Sequence, residues 1–156
     1  MTAYKKPPPK KKTIGWREWV ELPGLKVGRI KAKLDTGART SALHAFNLRR
    51  YTKYGAAHVR FDVHPAQRKR KPTVRCHALV IDHRTVTDSG GRREERPVIR
   101  TTLKLGKSVY RIELTLTDRD DMGFRLLLGR QALRRRYVVD PARSFVTRRK
   151  RRAKSA

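Results

Sequence analysis

The chain has 156 residues, which suffice for one domain with a hydrophobic core and are too few for two. Its 41 Lys and Arg residues outnumber 13 Asp and Glu residues, and the formal net charge of +28 indicates a polyanionic partner such as a nucleic acid, the ribosome or an acidic polypeptide. One cysteine, Cys76, excludes an internal disulfide, and no apolar run is long enough to span a bilayer, so we expect a cytoplasmic protein without a membrane segment.

The two ends of the chain are strongly basic. Residues 1–12 combine five lysines with three consecutive prolines, a composition that predicts a disordered basic arm. Residues 148–156 open with five consecutive cations and predict a disordered tail, which leaves residues 13–147 as one folded domain. The cations expected to contact RNA, the ribosome or another polyanion are Lys10, Lys11, Lys12, Arg68, Lys69, Arg70, Arg148, Arg149, Lys150, Arg151 and Arg152.

Apolar and polar residues alternate with a period of two between these ends, which is typical of half-buried strands. Turn residues such as Pro23-Gly24 and Gly106-Lys107 separate the alternating segments, and this spacing favours a barrel or a sandwich. The sequence therefore predicts an all-β fold. In chain order, the predicted strands lie within residues 14–20, 29–34, 59–63, 74–81, 98–105 and 110–117.

Only one helix is predicted, over residues 131–136, directly after the apolar run at 124–128. Trp16 and Trp19 could stack on bases, but their position in an alternating strand favours packing in the core. Cys76 is expected to pack as a small apolar side chain, because no nearby base in the sequence activates it as a nucleophile.

The motif with the clearest chemistry is Asp35-Thr36-Gly37, which follows directly on a predicted strand. An aspartate at a strand end, held by a tight turn, can lie rigidly at the floor of a cleft. Gly37 is expected to allow a backbone conformation that a Cβ forbids, and the Thr36 hydroxyl can bond across to a symmetry mate. The alternative is a structural turn whose aspartate accepts backbone hydrogen bonds and does nothing else.

A second segment strengthens the catalytic interpretation, because an apolar strand ends in Gly129-Arg130 before the predicted helix. Together with residues 14–20, 31–45 and 113–124, it makes residues 13–147 resemble the bacterial retropepsin-like aspartic proteases associated with RimK-type ATP-grasp ligases. The resemblance implies a closed β-barrel of the acid-protease type with one short C-terminal helix. It also implies that the catalytic Asp35, Thr36 and Gly37 are supported by Ala38, Leu127, Leu128, Gly129 and Arg130.

That family is often labelled an ATP-dependent zinc protease, and the residues argue against both parts of the label. The sequence has neither His-Glu-x-x-His nor a Gly-x-x-x-x-Gly-Lys-Ser/Thr loop. The spacing of the available ligands matches no familiar zinc pattern. We therefore expect no metal site and no cofactor, and we assign any use of ATP to a partner ligase. The ligands considered are His44, His64, Cys76 and His77.

One position departs from the pattern of the viral retropepsins. Those enzymes carry an acid two residues after the turn glycine, where it pairs with the arginine of Gly-Arg, whereas this chain has Arg39 there. Because two arginines cannot pair, Arg130 is expected to find another carboxylate. The available ones are Asp118, Asp120 and Asp121.

One Asp-Thr-Gly motif per chain implies a homodimer, in which two copies of Asp35 share a proton and act on a polypeptide substrate. A lid is expected at Ser89-Gly90-Gly91, with the segment 64–72 as an alternative. The association with RimK-type ligases implies substrates that carry glutamate tails or reside on the ribosome. The competing prediction is a retropepsin-like module without enzymatic activity that binds RNA, the ribosome or another polyanion.

Overall fold

Eleven strands and one α-helix make up the part of the chain that the computed structural model describes, namely residues 10–66, 71–87, 90–118 and 123–147. A single 3-10 turn, Pro23–Leu25, interrupts the strands, and the helix α1 spans Arg130–Leu133. The predicted all-β class is therefore confirmed. The strands are β1 Lys12–Gly15, β2 Arg17–Leu22, β3 Val27–Leu34, β4 Ser41–His44, β5 Phe46–Lys53, β6 Ala56–Val63, β7 Val74–Thr87, β8 Arg93–Leu105, β9 Ser108–Thr117, β10 Leu126–Leu128 and β11 Tyr137–Asp140.

The segments that alternate in sequence form strands, although residues 14–20 are divided between β1 and β2. In β3, Ile30, Ala32 and Leu34 are buried while the residues between them face outward. Lys12, which the sequence assigns to the basic arm, instead opens β1 and pairs with Tyr137 of β11. The predicted helix starts one residue earlier than expected, at Arg130. It is shorter than expected because the backbone at Arg134 leaves the helical region (φ −53°, ψ 133°).

Six strands close into a barrel. Their order is β2-β3-β10-β4-β9-β8, and a pairing between Glu21 of β2 and Lys104 of β8 joins the last strand to the first. The closed barrel that the family resemblance implies is therefore confirmed. Large aliphatic side chains fill its interior, among them Ile30, Leu43, Leu103, Leu114 and Leu126.

The same sheet continues beyond the barrel through β7, β6 and β5. β7 and β8 form a long antiparallel hairpin whose pairing extends to Thr87 and Arg93. Gly90 and Gly91 of the predicted flap lie in the turn of this hairpin, and Gly91 has a φ of +83°, which glycine adopts without strain. Ser89 lies outside the described residues.

Both tryptophans lie away from the core, contrary to the sequence-based expectation. Trp16 and Trp19 are half-buried, and neither belongs to the hydrophobic cluster in the barrel. The position of Trp19 follows from the pleat of β2, which turns Glu18 and Val20 inward and Trp19 outward. No described helix is long and apolar enough to cross a membrane.

A buried carboxylate ties the C-terminal segment to the barrel. The side chain of Glu18 is fully buried and accepts hydrogen bonds from the backbone N–H groups of Gly15 (2.7 Å), Val146 (2.9 Å) and Thr147 (3.0 Å). It also accepts one from the Thr147 hydroxyl at 2.8 Å. Four donors compensate for the loss of water around the charge, as a buried carboxylate requires.

Replacing this carboxylate is expected to destabilise the fold. Glu18→Ala leaves the buried N–H group of Gly15 and the partly buried N–H groups of Val146 and Thr147 without acceptors, so we expect the free energy of unfolding to fall by about 3 kcal/mol. Urea denaturation measures the change as a lower midpoint with an unchanged slope. Glu95→Ala, at an exposed position of β8, serves as the control and should change stability by less than about 0.5 kcal/mol. Equal stabilities of the two variants would contradict the anchoring role of Glu18.

Candidate active site

The candidate site forms where β10 lies between β3 and β4. β10 runs parallel to β3, with Leu128 opposite Leu34, and antiparallel to β4, with Leu127 opposite Ala42. The backbone N–H of Asp35 donates to the carbonyl of Leu128 at 2.8 Å. The late apolar segment therefore holds the first residue of the Asp-Thr-Gly turn through the main chain.

Asp35 itself is half-buried at the end of β3, and the two residues after it are exposed. Its carboxylate oxygen Oδ1 accepts a hydrogen bond from the N–H of Gly37 at 3.2 Å, and its carbonyl accepts one from Ala38 at 3.2 Å. The backbone of Gly37 has no positive φ, so the expected forbidden conformation is absent. A Cβ at Gly37 would lie 3.4 Å from Oδ1 of Asp35, an ordinary contact.

Gly129 is the glycine that the geometry requires. A Cβ there would lie 2.6 Å from the carbonyl carbon of Thr40 and 2.9 Å from the carbonyl oxygen of Ala38. Both distances are shorter than the contacts that Cβ atoms make with non-bonded atoms in proteins. The absence of a side chain lets the N–H of Gly129 donate to Oγ of Ser41 at 3.0 Å, and the N–H of Arg130 donate to the carbonyl of Ala38 at 2.8 Å. The sequence analysis missed Ser41, since a serine after a turn has no distinctive signal.

Arg130 bonds to the turn and not to an aspartate. Its Nη1 donates to the carbonyl oxygens of Thr36 and Gly37, both at 3.1 Å. The prediction that Arg130 pairs with a carboxylate is therefore wrong within the described residues, which include Asp118 but not Asp120 or Asp121. The physical reason is that carbonyls in a tight turn lack strand partners and can accept from a guanidinium as a carboxylate does.

A family model for “Retropepsin-like aspartic endopeptidase RimB” matches residues 13–150 of the chain. The chain belongs to this RimB-like family. The solved structure of Lpg0085 from Legionella pneumophila, a protein described as having unknown function, is 30% identical to it with a TM-score of 0.76. That similarity covers 89% of this chain and 100% of the Legionella chain.

Longer proteins also contain a region similar to this RimB-like chain. A protein from Desulfotalea psychrophila named “Probable alpha-L-glutamate ligase” is 50% identical over 132 residues, and one of the same name from Shewanella pealeana is 46% identical over 132 residues. The similarity covers 85% of this chain in both cases, but only 28% and 29% of the two relatives. The chain therefore spans less than a third of their length.

A cavity of about 510 Å³ lies beside the turn of the RimB-like domain. Its wall is formed by α1, by β11, by the link between them, and by Lys11, Thr36 and Arg39. The described residues of the lining include no acid, so their cations favour a positive electrostatic potential in the cavity. Its cations, here called the pocket cations, are Lys11, Arg39, Arg130, Arg134 and Arg135.

The four candidate metal ligands all lie within the described residues. No three His, Cys, Asp or Glu side chains form a possible metal site among the described residues. Cys76 is buried as predicted, and burial, with a smaller contribution from the charge of Asp62, raises the pKa of its thiol to about 12. His44 and His64 instead contact the ring of Phe46, with centroids 6.2 and 4.3 Å away.

The predicted polyanion contacts divide into two sets. Lys10, Lys11 and Lys12 are exposed at the start of the described chain, and Lys11 borders the cavity. The other predicted contacts, at positions 68–70 and 148–152, lie outside the described residues. The pocket residues Arg134 and Arg135 carried no motif that could have identified them, because only the fold brings them beside the turn.

Substitution of Gly129 tests how tightly β10 is held against the turn. Gly129→Ala places a methyl group against the carbonyls of Thr40 and Ala38, so we expect a loss of about 2 kcal/mol in the free energy of unfolding. Gly28→Ala is the matched control, because a Cβ at Gly28 meets no atom within 4 Å. Urea denaturation of both variants compares them. A Gly129→Ala protein as stable as Gly28→Ala would show that the close approach is unimportant.

Proposed function

We propose that this RimB-like chain is an aspartic peptidase whose active form is a homodimer with one Asp35 from each chain. The observation that carries the proposal is the Asp-Thr-Gly turn, which is hydrogen-bonded to β10 through its backbone and is exposed at Thr36 and Gly37. One turn supplies half of a two-carboxylate centre. The exposed half can meet its counterpart about a twofold axis without unfolding any strand.

The chemistry follows from the repulsion between two carboxylates. At a separation of roughly 3 Å both Asp35 side chains cannot be ionised, so they share one proton. The ionised carboxylate removes a proton from water, which attacks the scissile carbonyl, while the protonated carboxyl donates its proton to the carbonyl oxygen, and a gem-diol forms. The C–N bond then breaks as the carboxyl that took the water proton gives it to the leaving nitrogen, and a hydroxyl of the gem-diol returns a proton to the other carboxylate. The Thr36 hydroxyl would lock the paired turns, and the β7–β8 hairpin, with Gly90 and Gly91 in its turn, would cover the substrate.

The pocket cations support an acidic polypeptide as the substrate. None of the five pairs with a described carboxylate, and Arg130 directs Nη1 to backbone carbonyls, so their charge is available to a ligand. Carboxylates form strong hydrogen bonds with guanidinium groups. The similar proteins named as glutamate ligases favour, within this class, polypeptides with glutamate tails, including ribosomal proteins, and a functional link to a RimK-type ligase.

Asp35→Asn tests the catalytic role. Asparagine cannot transfer the proton, so we expect peptide cleavage to fall at least about a thousandfold. Mass spectrometry of glutamate-tailed and unmodified peptide pools measures cleavage, with circular dichroism and sedimentation confirming an intact fold and dimer. Cleavage by the variant at the wild-type rate would reject Asp35 as a catalyst.

Mixing the two proteins tests the dimer. With a ninefold excess of Asp35→Asn chains, random assortment leaves each wild-type chain a wild-type partner about one time in ten, so activity per wild-type chain should fall about tenfold. Undiminished activity would mean that each chain acts alone. If the wild type cleaves no peptide but still binds polyanions, the competing function of a binding module applies.

The double substitution Arg134→Gln/Arg135→Gln tests the pocket. Removing two pocket cations should raise KM for a glutamate-rich peptide about tenfold and leave kcat unchanged, because substrate and transition state lose the same contact. Arg49→Gln/Arg50→Gln, on exposed positions of β5, removes the same charge elsewhere and is expected to change KM less than twofold. Equal effects of the two double variants on KM would show that the pocket cations act only through the net charge of the chain.

A further inference from the structure

The outer surface of β2 and β3 carries aromatic rings and cations in alternation. Arg17 and Trp19 project outward from β2, Arg29 and Lys31 project outward from β3, and register pairs Trp19 with Lys31. A residue of the C-terminal segment packs against them. We define the aromatic–cation face as Trp16, Arg17, Trp19, Arg29, Lys31 and Phe145.

The rings and cations of this face are in direct contact. The rings of Trp19 and Phe145 stack with centroids 6.0 Å apart and planes inclined by 20°. The guanidinium of Arg17 lies 4.7 Å from the Trp16 ring and 5.0 Å from the Phe145 ring. The guanidinium of Arg29 lies 4.6 Å from the Trp19 ring. The face is therefore a row of planar groups, each next to a positive charge.

The cations of this face form no ion pair with a described carboxylate, although Glu21 lies opposite Arg29 in the register of β2 and β3. Arg17 directs Nε to the hydroxyl of Ser144 at 3.2 Å, and no described carboxylate forms an ion pair with Arg29 or Lys31. The neighbouring acid on β2, Glu21, pairs with Lys104 at 3.6 Å. Arg29 and Lys31 both lie over Trp19 and repel each other, so an external anion between them would be stabilising.

The face is also held in place. Phe145 lies directly before Val146 and Thr147, whose N–H groups donate to the buried carboxylate of Glu18. The N–H of Phe145 donates to the carbonyl of Arg17 at 2.9 Å. Because these bonds fix the backbone, the ring of Phe145 needs little further ordering when a ligand binds.

We propose that the aromatic–cation face binds single-stranded nucleic acid, with bases stacked on its rings and guanidinium planes and phosphates next to its cations. Base stacking uses flat π surfaces and planar guanidinium groups, and the phosphate backbone uses uncompensated positive charge. An acidic polypeptide would use the charge and leave the rings without a role. The face shares no residue with the pocket or with the Asp-Thr-Gly turn, so the inference is independent of the proposed peptidase activity.

Intrinsic fluorescence tests this surface directly, because the two tryptophans of the chain both belong to it. The full chain is titrated at one fixed ionic strength with oligo(U) or oligo(dT) of about twelve nucleotides, a length within the usual site sizes. We expect saturable quenching by at least one oligonucleotide, and comparison of the two separates RNA from DNA. Polyglutamate of similar length is the control and should leave the emission unquenched.

Four variants, one of them a control on β5, assign the binding to the face. Trp19→Leu should weaken oligonucleotide binding about tenfold, whereas Trp19→Phe, which retains a ring, should lie within about threefold of wild type. Arg29→Gln/Lys31→Gln should weaken binding more than Arg49→Gln/Arg50→Gln, which removes equal charge from β5. Fluorescence anisotropy of labelled oligonucleotide measures all four affinities, and thermal unfolding confirms that the variants fold.

Three results would overturn the proposal. Oligonucleotide binding without quenching, and with equal affinity for wild type and Trp19→Leu, would place the nucleic acid elsewhere on this cationic chain. Equal losses of oligonucleotide affinity in the two double variants would show that binding depends only on the net charge of the chain. Quenching by polyglutamate as strong as by either oligonucleotide would assign the face to an acidic polypeptide.

Discussion

β10 can occupy its place between β3 and β4 because Gly129 has no side chain. The carbonyls of Ala38 and Thr40 fill the space that a Cβ would take, and the N–H groups of Asp35 and Arg130 then bond across the same contact. The turn is thus oriented by the main chain, which has few alternative conformations. A carboxylate can be directed in this way while the surface around it remains exposed, as a centre completed by a second chain requires.

Arg39 changes the electrostatics of the turn more than its geometry. With an arginine where the viral enzymes have an acid, Arg130 still reaches the turn, because the carbonyls of Thr36 and Gly37 accept its hydrogen bonds. Those carbonyls carry partial charge only, so the full positive charge of Arg130 persists and adds to that of Arg39 in the cavity. The same departure from the viral pattern therefore keeps the support of the turn and favours anionic ligands beside it.

The sequence predicted the elements whose signal is local. Alternation identified the long barrel strands such as β3 and β9, whereas the contact between the turn and β10 was implied by the family resemblance. It missed β4, β5 and β11, because β4 and β11 are too short to show a period and β5 is exposed along most of its length. The outward position of Trp19 and the role of Glu18 depend on partners more than a hundred residues away, at 145–147, and no local pattern encodes them.

The two cationic surfaces of this chain differ in the groups that surround their cations. In the cavity, cations line a concave wall beside Thr36, which suits a flexible chain of carboxylates that must reach the turn. On the outer surface of β2 and β3, cations lie over rings, which suits planar groups joined by phosphates. Glu18 links the elements that carry these two surfaces. Its carboxylate fixes the segment that carries Phe145. Its strand, β2, pairs with β3, which leads directly into Asp35. A net charge of +28 favours association with anions in general, and the shape and aromatic content of each surface are the grounds for the different ligand proposed for each.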